Sequence, residues 1–129
     1  MIVNDPPVLA EVQAAFAAYE QALVGNDVAA LDRFFVESEH AIRYGGAENL
    51  YGFAAISAFR AARPAAGLAR MLEKTAIVTY GRDMAIAATL FARESAPRKI
   101  GRQMQTWVRL PQGWRIVAAH VSLIDAPEL

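Results

Sequence analysis

Polar side chains at positions whose spacing marks them as buried are where this chain could do chemistry. Arg43 lies within His40 to Tyr44, a stretch that alternates as a strand does, with its side chain opposite in direction to that of Ile42. An inward guanidinium needs a carboxylate, because a buried unpaired charge is costly to keep. Glu48 or Glu20 would supply one from within the protein, and a bound anion would supply one from outside. Tyr19 falls on the apolar stripe of Val8, Val12, Phe16 and Leu23, where a phenol either meets a backbone carbonyl or presents its proton to a bound molecule. Arg60 and Arg63 project from the apolar edge of a later helix and could line a rim with their long stems. Gln103 and Gln105 share a strand face with Trp107, and His120 and Ser122 share one with Trp114 and Ile116, so one of these faces must be interior. Tyr44, Glu48, Asn49 and Tyr51 cluster on or beside the loop after the Arg43 strand, where they could close one end of a pocket and bind amide groups.

Other chemistries are excluded by what is missing. There is no cysteine, hence no thiol nucleophile, disulfide or zinc-thiolate site. The only histidines, His40 and His120, are far apart in the chain and lack carboxylates at ligand spacing apart from Glu39, which leaves a metal site unsupported. Gly45-Gly46 lacks the rest of a phosphate loop, and Ser38, Ser57, Ser95 and Ser122 lack the glycines of a nucleophile elbow. Thirteen basic residues balance thirteen acidic ones, which argues against a nucleic-acid partner. All the basic residues but Lys74 and Lys99 are arginines, whose planar fork suits a small anionic substrate. The N-terminus has no basic region followed by an apolar run, and no long uncharged apolar stretch occurs, so the expectation is a cytoplasmic chain without a membrane partner.

The elements that must position these residues follow from periodicity. At 129 residues the chain reads as a single domain, 1–129. Asp5 and Pro6 open a helix that ends at Gly25-Asn26, and Asp27 caps a second with Val28, Leu31 and Phe35 inward. Phe53 to Arg63 is a third, stopped by Pro64. From Leu68 the period changes to two, giving strands Leu68 to Tyr80, Met84 to Glu94, Ile100 to Leu110 and Trp114 to Ile124. Four consecutive strands form an antiparallel meander, and helices first with strands last define an α+β domain with three helices on one face of a curved antiparallel sheet. A ferredoxin-like alternation would need a helix between the late strands, and none is there. Those strands are apolar on both faces, which predicts a homodimer through the outer face, with a tetramer as a dimer of dimers.

Several segments together resemble a known family. Ala18-Tyr19-Glu20-Gln21-Ala22-Leu23, Ile42-Arg43-Tyr44-Gly45 with Asn49-Leu50-Tyr51-Gly52, Phe59-Arg60-Ala61-Ala62-Arg63-Pro64, Thr79-Tyr80-Gly81-Arg82-Asp83, and Gly101-Arg102-Gln103 with Gln105-Thr106-Trp107 are similar to the AtzH/HpxZ group of SnoaL-like proteins. The ending Gly113-Trp114-Arg115-Ile116-Val117-Ala118-Ala119-His120-Val121-Ser122 resembles the wider nuclear-transport-factor-two-like superfamily, which implies a cone-shaped, cystatin-like sheet closed by three helices. The resemblance implies an enzyme of urea-derived acids, either a decarboxylase of 1,3-dicarboxyurea giving allophanate in cyanuric acid catabolism or an oxalurate-related enzyme of purine catabolism. It also implies Tyr19 and Arg43 as the catalytic pair. The chemistry fits these residues. An N-carboxylate loses carbon dioxide once its nitrogen is protonated, which needs a positive fork to seat the anion and a positioned acid, and no cofactor. A ureide hydrolase would instead need a water activated by Glu48 or His120, and a ligand-binding module would need neither.

Overall fold

The computed structural model describes residues 1–127. Helix α1 (Pro6–Val24) buries Val8, Val12, Phe16, Tyr19, Ala22 and Leu23, the stripe its spacing predicts. Asp5 stands at its N-cap position but makes no side-chain cap, and Pro6 fills the first turn, where a missing N–H costs nothing. Asp27 caps α2 (Val28–Phe34) by accepting from the Ala30 N–H at 3.1 Å. A short hairpin, β1 (Ile42–Tyr44) and β2 (Asn49–Tyr51), leads into α3 (Phe53–Ala62). Four long strands follow: β3 (Met71–Tyr80), β4 (Met84–Ala92), β5 (Lys99–Leu110) and β6 (Gly113–Asp125).

The six strands form one curved sheet in the order β2-β1-β6-β5-β4-β3. The meander from β3 to β6 is antiparallel as expected, whereas β1 joins the free edge of β6 in parallel, so the sheet is mixed. No tight turn links β1 to β6, and side-chain alternation carries no information on strand direction, which is why the parallel pair is silent in the sequence. β3 begins at Met71 rather than Leu68, so Leu68 and Arg70 belong to the connection after α3. The N-terminal segment covers the β3 edge: Val3 bridges Tyr80, and the Asn4 side chain accepts from the Thr79 N–H at 2.9 Å.

The helices pack on the concave face, where Trp107, Ile116, Ala85 and Ala87 of the sheet meet Val12, Phe16 and Tyr19 of α1 and Leu31 and Phe35 around α2. Arg60 is part of this framework. It is 4% exposed, donates to Asp32 at 2.6 Å and lies 4.8 Å over the Phe35 ring, while Ser57 donates to the other Asp32 oxygen at 2.8 Å. The reading of Arg60 as a substrate-binding residue is corrected here: the Asp32 carboxylate of the neighbouring helix α2 consumes its charge. Asp32→Ala is expected to cost about 2 kcal/mol, less than for a fully buried pair because Asp32 keeps some solvent, and the urea midpoint measures it. Among the described residues no helix is long and apolar enough to cross a membrane.

Candidate active site

A cavity of about 230 Å³ lies between the concave sheet and the helices. Tyr19 from α1, Arg43 from β1, Arg63 from the end of α3, Arg70 from the connection to β3, Arg93 after β4 and Gln103 and Gln105 of β5 line it, together with Phe59, Leu68 and Phe91. Tyr19 is 6% exposed, its ring edge-on to Phe34 and Trp107 at centroid distances of 6.0 and 6.3 Å, which fixes the phenol's direction.

Arg43 faces inward because the hairpin register pairs it with Leu50 and the parallel ladder pairs it with Ala119, both on the concave side. Its Nη1 donates to Glu48 Oε1 at 2.8 Å, and its guanidinium sits 5.2 Å from the Phe59 ring. Gly45 makes room for this pair. A Cβ there would stand 1.8 Å from Glu48 Oε1 and 3.0 Å from Arg43 Nη1, so any other residue would press the carboxylate away from the arginine. Glu48 thus positions Arg43 rather than lining the cavity.

The other arginines divide into two kinds. Arg70 is held fork to fork by Glu20, at 2.8 Å from Nε and 2.6 Å from Nη2, and Nη2 also donates to Gln103 Oε1 at 3.0 Å. Arg63 and Arg93 have no such carboxylate among the described residues. Arg63 Nε and Nη2 and Arg93 Nε are buried without a hydrogen-bond partner among the described residues. Burial pushes the Arg63 guanidinium below its ordinary value; proximity to Tyr19 opposes this and the charges of Arg43, Arg60 and Arg93 add to it. Arg93 is lowered likewise by burial and then by Arg70, with Glu20 opposing. Since Gln103 Oε1 receives Arg70, its Nε2 is turned the other way and is also buried without a partner. Gln105 Oε1 receives the Trp107 indole N–H at 3.0 Å.

The structure moves seven expected site residues out of the cavity, Glu48 among them as described. Arg60 is another, as above. Tyr44, Asn49 and Tyr51 flank Arg43 and Leu50 in the hairpin, and alternation turns all three to the convex face, where the two tyrosine hydroxyls meet at 2.8 Å. The hydrogen bond to Tyr44 and slight desolvation hold the Tyr51 phenol above its ordinary range. His120 and Ser122 are corrected for a different reason. Thr106 pairs Ala118 but Trp107 pairs Ile116, so Val117 is an extra residue, a β-bulge that reverses the alternation. Beyond it Ala119, Val121 and Leu123 line the cavity, while His120 lies outside against the Tyr44 ring, 6.0 Å between centroids, and Ser122 receives a bond from Arg102.

Arg70 and Arg93 were missed from sequence. For Arg93 a signal existed: Ala85, Ala87, Thr89 and Phe91 are buried at period two, and the next step in that row is Arg93. Arg70 lies before its strand, where no period applies. Among the described residues no three acidic or histidine side chains gather as a metal-binding set.

Three helices held in a six-stranded, strongly curved sheet make this a cystatin-like fold of the NTF2-like type. A protein of unknown function from Pectobacterium atrosepticum, of the DUF3225 family, superposes with a TM-score of 0.93 at 62% identity over 95% of each chain. A cystatin-like protein from Burkholderia xenovorans gives 0.94 at 47% identity over 98% of this chain and 99% of the other. More distantly, a proposed dehydratase of the NTF2-like family from Streptomyces avermitilis gives 0.76 at 16% identity, covering 92% and 96%, and shows the fold alone. The chain belongs to the AtzH-like family, whose sequence profile matches residues 1–127. No curated protein matches the chain.

Proposed function

We propose that the chain is a cofactor-independent enzyme that decarboxylates 1,3-dicarboxyurea to allophanate. The observation that carries this reading is the meeting of Tyr19 and Arg43 on one cavity that also holds unpartnered guanidinium donors. In the step, the C–N bond to one carboxylate breaks, its electron pair goes to nitrogen, carbon dioxide leaves, and nitrogen takes one proton. Arg43, steadied by Glu48, seats the carboxylate, and the Tyr19 hydroxyl supplies the proton to the departing nitrogen. The phenol recovers its proton from solvent.

Hydrolysis of an oxalurate-like ureide fits less well. A general base would have to face the cavity, but Glu20 and Glu48 are bound to arginines and His120 is on the convex face. The test is a panel of urea-derived acids assayed separately for carbon dioxide and ammonia. Carbon dioxide from dicarboxyurea without ammonia supports the proposal, and ammonia as the primary product replaces it with deamidation.

The proposal includes a homodimer through the convex face. Ile42, Tyr44, Met104 and Ile124 are 37–55% exposed there, large apolar side chains that a second subunit would cover. Sedimentation at micromolar concentration is expected to give twice the mass of the 14.0 kDa chain, and a monomer alone would refute it.

A further inference from the structure

We propose that the cavity is built for a dianion, one carboxylate at Arg43 and the other on Arg63, Arg93 and the Gln103 amide, and that Arg93 selects two-headed over single-headed anions. This deepens the reading of the cavity as the substrate site and rests on it, though not on the reaction assigned there.

The contrast among the arginines carries the argument. Arg60 is answered by Asp32, Arg70 by Glu20 and Arg43 by Glu48, at 2.6, 2.6 and 2.8 Å. Each of these three guanidiniums has its charge answered by a carboxylate of the chain. Arg63 and Arg93 depart from that pattern, with buried nitrogens left open among the described residues. Of the four guanidiniums lining the cavity, two have no carboxylate partner among the described residues, which leaves the cavity with the complement of two negative charges. Buried donors without partners cost stability, and such a cost persists where a bound molecule offsets it. Gln103 adds a neutral donor, its Nε2 freed because Arg70 occupies Oε1.

Position separates the two seats. Arg93 borders not only this cavity but two clefts beside it, all three sharing Gly67, so it stands at the mouth. Its guanidinium and that of Arg70 lie 4.8 and 4.6 Å from the Phe91 ring, which holds the Arg93 stem in place. Phe91 in turn fits over Gly101, where a Cβ would come within 2.1 Å of the ring. The seat at Arg93 therefore has a built support.

Glutarate, whose two carboxylates have the spacing of dicarboxyurea, and butyrate, which has one, separate these ideas by calorimetric titration of the whole protein. Wild type is expected to bind glutarate about tenfold or more tightly than butyrate. In Arg93→Met the glutarate affinity falls about tenfold while butyrate changes less than twofold. Arg93→Lys, the gentler variant, loses glutarate affinity severalfold with butyrate unchanged. Equal binding of the two acids by wild type, failure of glutarate to bind, or parallel losses of both in the variants overturns the proposal. A glutarate preference without turnover of dicarboxyurea would leave the two seats standing and remove the decarboxylation.

Discussion

Tyr19→Phe is expected to lower kcat by roughly 10²-fold, the usual contribution of a positioned acid, with the melting temperature nearly unchanged. The substitution removes one oxygen and leaves the edge-on contacts with Phe34 and Trp107 in place. A tyrosine whose hydroxyl served only the fold would behave in the opposite way, losing about 1–2 kcal/mol of stability and keeping its activity. The structure also narrows what a negative result means. Among the described residues no other tyrosine lines the cavity, and Tyr44, Tyr51 and His120 are on the far side of the sheet. Full activity of Tyr19→Phe on a confirmed substrate would therefore remove the phenol from the mechanism with no second one to inherit the role.

Arg43→Lys tests the other half of the pair. It is expected to lower kcat/KM by about 10²-fold, nearly as far as Arg43→Ala, although the charge is kept. An arginine can give Nη1 to Glu48 and turn the rest of its fork toward a ligand. A lysine has one nitrogen on a flexible stem, and Glu48 is poised to hold it. Retention of most activity in the lysine variant would show that a point charge is sufficient and that the fork has no role. Circular dichroism melts of both variants separate a lost site from a lost fold.

Helices and meander strands were legible in the sequence because each buries one face and so shows its period. Val8, Val12, Phe16, Tyr19 and Leu23 define α1, and Gln103, Gln105 and Trp107 share one face of β5, which the structure shows to be the inner one. The inward placement of Tyr19 follows from the same rule. What sequence alone leaves unread has two sources. Pairing partners distant in the chain, such as Asp32 for Arg60 and Glu20 for Arg70, leave no local pattern, so a structural and a binding arginine look alike. Short or interrupted strands are the other source. The hairpin of β1 and β2 offers three residues each, too few to tell which side of Tyr44, Asn49 and Tyr51 is wet, and β6 changes phase partway along.

That phase change has a consequence for how such a cavity evolves. Strand β6 carries two complete rows of side chains over one stretch, an apolar row at Ala119, Val121 and Leu123 and a more polar one at Ala118, His120 and Ser122. The extra residue at Val117 decides which row is indoors. Were the irregularity displaced toward the end of the strand, the same amino acids would put an imidazole and a hydroxyl where the wall is now oily. A descendant could thus acquire a general base by migration of a kink, with every codon for the new lining already in the gene, and the ancestor's outer surface would hold the reserve parts.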